Sequence, residues 1–187
     1  MRASRYLPDL DLRIDHALTR AARFLSKAQQ HDGGFMGRWG ICFTYGTWFG
    51  IWGLLACGTP PEDPRIRRAC RFLLTHQQAD GSWGETPESC LRGTYTQHPQ
   101  GQAVMTSWAL LALTRAGMAT HPAARQAVRF LVTRQRPDGC FAAESYAGAC
   151  LRTLALNYGH YRHYFPMWAL AEWTATKNNS SGLPSSA

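Results

Sequence analysis

The sequence contains no CxxC pair and no cluster of histidines, although it has six cysteines and seven histidines. A zinc centre and a secreted disulfide framework are therefore not expected. The cysteines, at 42, 57, 70, 90, 140 and 150, lie inside or beside apolar segments, which points to a reducing compartment. No apolar run is long enough to cross a bilayer: the longest, Trp48 to Cys57, is about half of the ~20 residues required. The start of the chain has Arg2 and Arg5 but no apolar stretch behind them, so no signal peptide is expected. A basic run or stripe is also missing. The net charge is +8, from 20 Lys+Arg against 12 Asp+Glu. The arginines are dispersed, which argues against nucleic acid and leaves a weak, one-sided attraction to an anionic membrane surface.

What is present is a phrase that occurs three times. Arg23-Phe24-Leu25 leads through Gln29 to Asp32-Gly33-Gly34-Phe35. Arg71-Phe72-Leu73 leads through Gln77 to Asp80-Gly81-Ser82-Trp83, and Arg129-Phe130-Leu131 leads through Gln135 to Asp138-Gly139-Cys140-Phe141. A period of this kind belongs to architectures built from one supersecondary unit. The 187 residues, 45% hydrophobic and 12% aromatic, suffice for one domain with a real core.

Upstream of each Asp-Gly turn, Ile14 to Gln30, Pro64 to Gln78 and Pro122 to Gln135 carry apolar residues at helical spacing. They read as amphipathic helices, with Pro64 and Pro122 in first turns. Downstream, Thr44 to Cys57, Val104 to Gly117 and Phe165 to Thr176 are apolar nearly all round and read as buried helices, with Gly58 and Gly117 ending the first two. Short strand-like patches lie around Thr94 to Thr96 and Leu151 to Leu156. The expected architecture is all-α, a partial α/α toroid of three hairpins at about 14–58, 64–117 and 122–176. A polar tail, 178–187, is expected to be disordered.

Beyond the repeats, the stretch Gly37-Arg38-Trp39-Gly40-Ile41-Cys42-Phe43-Thr44-Tyr45-Gly46-Thr47-Trp48-Phe49 resembles a signature of the oxidosqualene branch of the triterpene cyclases. Gly81 to Glu85 with Glu88-Ser89-Cys90, and Tyr158 with Tyr161 to Trp168, continue the resemblance, which runs from about Tyr6 to Trp173. The related branch is the squalene-hopene cyclases, and the repeats resemble the family's glutamine-tryptophan motif. The resemblance implies the C-terminal part of an α/α toroid whose cavity folds 2,3-oxidosqualene or a squalene-like polyene, protonates one end and guides a carbocation through ring closures. Neither a metal nor another cofactor is implied. Aromatic faces can stabilise such a cation where carboxylates would trap it.

By that resemblance Trp83, Tyr158 and Tyr161 match cavity positions, although on composition alone they read as core packing. Cys42 matches a cysteine that hydrogen-bonds the catalytic aspartic acid, which favours the epoxide as substrate; without the resemblance it reads as a small buried hydrophobe. The glutamines are expected to bridge helix ends and tie adjacent hairpins together. The sequence also departs from the family. The Asp-Cys-Thr-Ala-Glu and Asp-x-Asp-Asp acid motifs are absent, and Asp9-Leu10-Asp11-Leu12 reads as a solvated helix lead-in. Phe35 and Phe141 replace tryptophans. Cys150 stands where a cavity phenylalanine is usual, removing a cation–π contribution of about 0.5–2 kcal/mol.

The chain alone is therefore expected to be inactive, with the acid supplied by a missing N-terminal part of the cyclase. Its expected location is intracellular and membrane-associated, at the endoplasmic reticulum or a lipid droplet in a eukaryote. The alternative is a non-catalytic helical-repeat paralogue that binds a lipid or a protein. A zinc-dependent prenyltransferase subunit lacks its ligands here.

Overall fold

The computed structural model describes residues 11–150 and 153–181, with side chains described through residue 178. Seven helices and one two-stranded ribbon follow in order: α1 Asp11–Ala28, α2 Cys42–Ala56, α3 Pro64–Thr75, α4 Glu88–Arg92, α5 Ala103–Leu113, α6 Pro122–Arg134, β1 Gly148–Cys150, β2 Leu154–Leu156 and α7 Tyr161–Ser181. The helices form hairpins, with amphipathic α1, α3 and α6 outside and α2, α5 and α7 inside. All eleven residues of α5 are buried, and α5 packs on α2, α6 and α7. Its mostly apolar composition is thus matched by neighbours on every side, and its two polar side chains, Thr106 and Ser107, are hydrogen-bonded to backbone. No helix among the described residues is long and apolar enough to cross a membrane.

The repeated phrase builds the same turn three times. Asp32, Asp80 and Asp138 each accept, through Oδ1, the backbone N–H two residues on. The following glycines, Gly33, Gly81 and Gly139, stand at φ of 96°, 87° and 80°, a left-handed backbone that glycine adopts without steric cost. The first two turns press on the next outer helix: a Cβ on Gly33 would lie 2.5 Å from the Arg68 carbonyl oxygen, and one on Gly81 would lie 2.7 Å from Gln126 Cβ.

The glutamines complete the junctions. Gln29 Nε2 donates to Gly33 O in its own turn and to Arg65 O at the start of α3. Gln77 Nε2 donates likewise to Gly81 O and to Ala123 O at the start of α6. Gln135 keeps the bond within its turn, to Gly139 O, and its second contact is the Met167 thioether.

Some elements differ from the sequence expectation. α1 is amphipathic but has no buried residue, and Phe24 is 70% exposed where its counterparts Phe72 and Phe130 are 2% and 5% exposed. Phe72 is covered by Gly34 of the preceding turn, and Phe130 lies against Gly101; α1 has no such preceding neighbour among the described residues. The third inner helix begins four residues before Phe165 and is only partly buried, again for want of a further hairpin packed upon it among the described residues. It also continues through Asn178–Ser181, the start of the predicted tail; 182–187 lie outside the described residues. Thr94 to Thr96 forms no strand, since pairing there is limited to a bridge between Glu85 and Gln97. The second patch pairs as β2 with β1, Gly148 opposite Leu156 and Cys150 opposite Leu154. Residues 151 and 152 of that patch, and Asp9 and Leu10, lie outside the described residues.

Candidate functional site

β1 is stitched to the loop that enters α2. Ile41 N–H donates to Ala147 O at 2.9 Å and Ala149 N–H to Trp39 O at 3.0 Å, across more than a hundred residues of chain. This brings the third hairpin's strand beside the first residue of α2. Between them lies a cavity of about 200 Å³, lined by Met36, Gly37, Arg38, Trp39, Cys42, Cys90, Ala149 and Cys150. Its wall is apolar and unusually rich in sulfur, with Arg38 as the charged member.

The entry of α2 is held by a glutamate from the next hairpin. Glu85, fully buried, accepts the backbone N–H of Cys42 at 3.0 Å and of Phe43 at 2.9 Å through Oε1, and that of Thr44 at 2.8 Å through Oε2. The Thr44 hydroxyl donates to the same Oε2. Those N–H groups would otherwise be unsatisfied, and a carboxylate is the natural acceptor at the positive end of a helix. Glu144 does the same for α5, accepting Ala103 N–H at 2.8 and 2.7 Å from its two oxygens; burial pushes its pKa up while these bonds oppose the shift.

Of the residues singled out in the sequence, Cys42 and Cys150 meet in the cavity. Cys42 is joined to Cys90 of α4 by a disulfide, with Cα atoms 5.7 Å apart, a normal separation for such a bond. The cysteine pattern predicts no disulfide, so this bond departs from it, and in this state the Cys42 sulfur carries no hydrogen. The partners are 48 residues apart, and the contact is made only when α4 folds against the entry of α2. Cys57, Cys70, Cys140 and Cys150 are free, and burial pushes the Cys70 thiol up to about 11.

Tyr158 and Tyr161 stack on each other, centroids 4.7 Å apart, and do not line the cavity. Tyr158 lies against Gly148 of β1. Tyr161 continues into a ring cluster shared by the inner helices: Phe165 at 5.0 Å, Trp108 at 6.2 Å, and through these Trp48 and Trp168. Burial first, and the neighbouring phenol second, raise the pKa values of Tyr161 and Tyr164, the latter to about 12, so both rings are neutral π faces at physiological pH. Trp83 is in the core and does not line this particular cavity. It is fully buried, and its Nε1–H donates to Leu73 O at 2.8 Å. A tryptophan at the exit of a tight turn is held by the helix that precedes the turn, which points it inward.

Glu85 and Cys90 stand in the stretches that carry the resemblance, but the sequence assigns no role to them or to the ring cluster around Trp108. The signal for the first was a glutamate four residues beyond the Asp-Gly turn, echoed by Glu144 five residues beyond the third.

The model of the squalene-hopene cyclase C-terminal domain family matches residues 5–175. The chain is 39% identical over 165 residues to human lanosterol synthase and 42% identical over 160 residues to cycloartenol synthase of Dictyostelium discoideum. Each match covers 86% of this chain, but only 22% and 23% of the relative. The fold is also that of a solved ent-copalyl diphosphate synthase from Streptomyces platensis, with TM-score 0.65 at 19% identity, over 94% of this chain and 30% of that one. The helical hairpins and the match over nearly the whole length agree: the chain belongs to the squalene-hopene cyclase C-terminal domain family.

Proposed function

We propose that the chain is the C-terminal portion of a triterpene cyclase of the oxidosqualene type, an isomerase that protonates 2,3-oxidosqualene and closes it to a sterol or related triterpenoid. The family match over residues 5–175 carries this reading, and the relatives named lanosterol and cycloartenol synthase favour the oxidosqualene branch. In this reading the inner-helix aromatics, Tyr158 and Tyr161 with Trp108 and Phe165 behind them, offer π faces to a cation, and Cys42 and Cys150 belong to an adjoining wall. The chain by itself is inactive, because its proton donor comes from an N-terminal part of the cyclase. The enzyme is intracellular and touches a membrane from one side to collect its apolar substrate.

A chimera tests this reading. Residues 6–175 replace the matching stretch of human lanosterol synthase, and the purified protein is given 2,3-oxidosqualene beside the 187-residue chain alone. A cyclic triterpene from the chimera and none from the chain supports the proposal. A folded chimera that forms no cyclic product sinks the enzymatic reading, and product from the chain alone sinks the dependence on a separate acid.

A further inference from the structure

We propose that Cys42 and Cys90 are a reversible dithiol–disulfide pair, a redox modification site that exchanges with thiols entering the cavity. Both cysteines are almost wholly buried, and both line the cavity, which is therefore the route by which a small thiol reaches them. Cys150, the remaining cysteine of that wall, is free.

Contacts other than the disulfide also hold both of its segments. Thr86 N–H donates to Thr96 O at 3.0 Å, Thr96 N–H donates to Ser89 Oγ at 2.8 Å, and Gly93, at φ 68°, closes α4 with its N–H on Ser89 O. On the other side, Glu85 holds the first turn of α2 through three N–H groups. Both backbones are thus held when the bond opens, the sulfurs separate by side-chain rotation alone, and reclosure needs no refolding.

The same glutamate sets the direction of the equilibrium. Cys42 is the first residue of α2, a position where a helix N-terminus ordinarily stabilises a thiolate and so favours reduction. Here those N–H groups are already taken by a carboxylate, so the reduced form gains no such help and the disulfide persists.

In the exchange, a thiolate of an entering dithiol attacks one sulfur of the Cys42–Cys90 bond; that bond breaks as a mixed disulfide forms, and the other protein sulfur leaves as a thiolate that takes up a proton from solvent. The dithiol's second thiol displaces the protein sulfur of the mixed disulfide, leaving two protonated cysteines and a cyclic disulfide on the reductant. If the cyclase reading also holds, which is a separate matter, reduction gives Cys42 back the S–H that it needs as a hydrogen-bond donor.

The test is equilibration of the folded 187-residue chain in buffers of graded dithiothreitol to oxidised dithiothreitol ratio. Acid quenching, denaturation and alkylation with iodoacetamide follow, with each cysteine read by mass spectrometry. The expected result is four alkylated cysteines at the oxidising end and six at the reducing end. Cys42 and Cys90 should change together while the helical circular dichroism stays constant. Cys90→Ser should give five at every ratio, and Glu85→Gln should favour the dithiol by up to about tenfold, a shift of about 30 mV for a two-electron couple. The proposal is overturned if the pair stays closed in excess dithiothreitol, never closes, pairs with Cys150 instead, or opens only as the helices are lost. A redox step in the chimera without cyclisation would leave this proposal standing and remove the cyclase reading; the converse would do the opposite.

Discussion

The carboxylate of Glu85 accepts the backbone N–H of Cys42 across 43 residues, so the second hairpin holds the first helix turn on which the cavity cysteine stands. Replacing Glu85 by alanine leaves three buried N–H groups and the Thr44 hydroxyl without that acceptor. A loss of at least about 3 kcal/mol is expected, read as a lower urea midpoint. Glu85→Gln keeps the size and an acceptor oxygen and should lose less. A loss below about 1 kcal/mol for the alanine variant would show that this contact does not anchor α2.

The glutamines separate closed junctions from the open one. Gln77→Ala removes a bond within its turn and a bond to Ala123 O in the next hairpin, for an expected loss of about 1–2 kcal/mol. Gln135→Ala removes the bond within its turn and a weak contact to the Met167 thioether at an exposed site, for about 0.5 kcal/mol or less. Chemical denaturation of both variants against the parent checks the order. Equal losses would contradict the junction role.

Glycine substitutions test the same junctions through sterics. Gly139→Ala pays only for its positive φ, roughly 1–2 kcal/mol, because nothing lies within 4 Å of the added carbon. Gly33→Ala and Gly81→Ala add collisions with Arg68 and Gln126 to the same backbone cost. Both should melt well below Gly139→Ala in thermal scans.

Trp83 and Trp108 are both fully buried, but among the described residues only Trp83 of the two has a partner for its indole N–H, the Leu73 carbonyl. Phenylalanine at 83 loses volume and a hydrogen bond, whereas at 108 it loses volume and is rid of an unpaired donor. Trp83→Phe should therefore be the more destabilising by about 1–2 kcal/mol. The opposite order in urea unfolding would count against core hydrogen bonding at Trp83.

Acid stability depends on Asp63. The Arg65 guanidinium hydrogen-bonded to it is the largest cause that lowers its pKa, from 3.8 to about 2. Because the folded value lies below the unfolded one, the contribution is fully present above about pH 4 and is lost as the pH falls through about 2. The Asp63→Asn variant should show a flatter decline of melting temperature between pH 4 and pH 2 than the parent. Asp63→Ala should in addition lose about 1 kcal/mol at neutral pH, because Asp63 caps α3 through the Arg65 N–H.

Much of the scaffold was legible along the chain because its causes are local. An aspartate that accepts the N–H two residues on, followed by a glycine with positive φ, makes a turn wherever it occurs. Pro64 and Pro122 each stand in the first turn of an outer helix, and Gly58 lies just past the last turn of α2. The cavity was less legible. Its wall joins residues 36–42, Cys90 and 149–150, and no period or motif relates those segments.

By itself the sequence determined the all-α hairpin plan, the three like turns and the glutamines that brace them, because propensity, turn chemistry and repeat spacing act over a few residues. Only the tertiary structure decided that Trp83 is core, that Glu85 closes the entry of α2, and that Cys42 meets Cys90 beside Cys150. Those outcomes depend on how hairpins far apart in the chain are stacked. Only that stacking makes the buried N–H groups of one hairpin and the side chains of another neighbours.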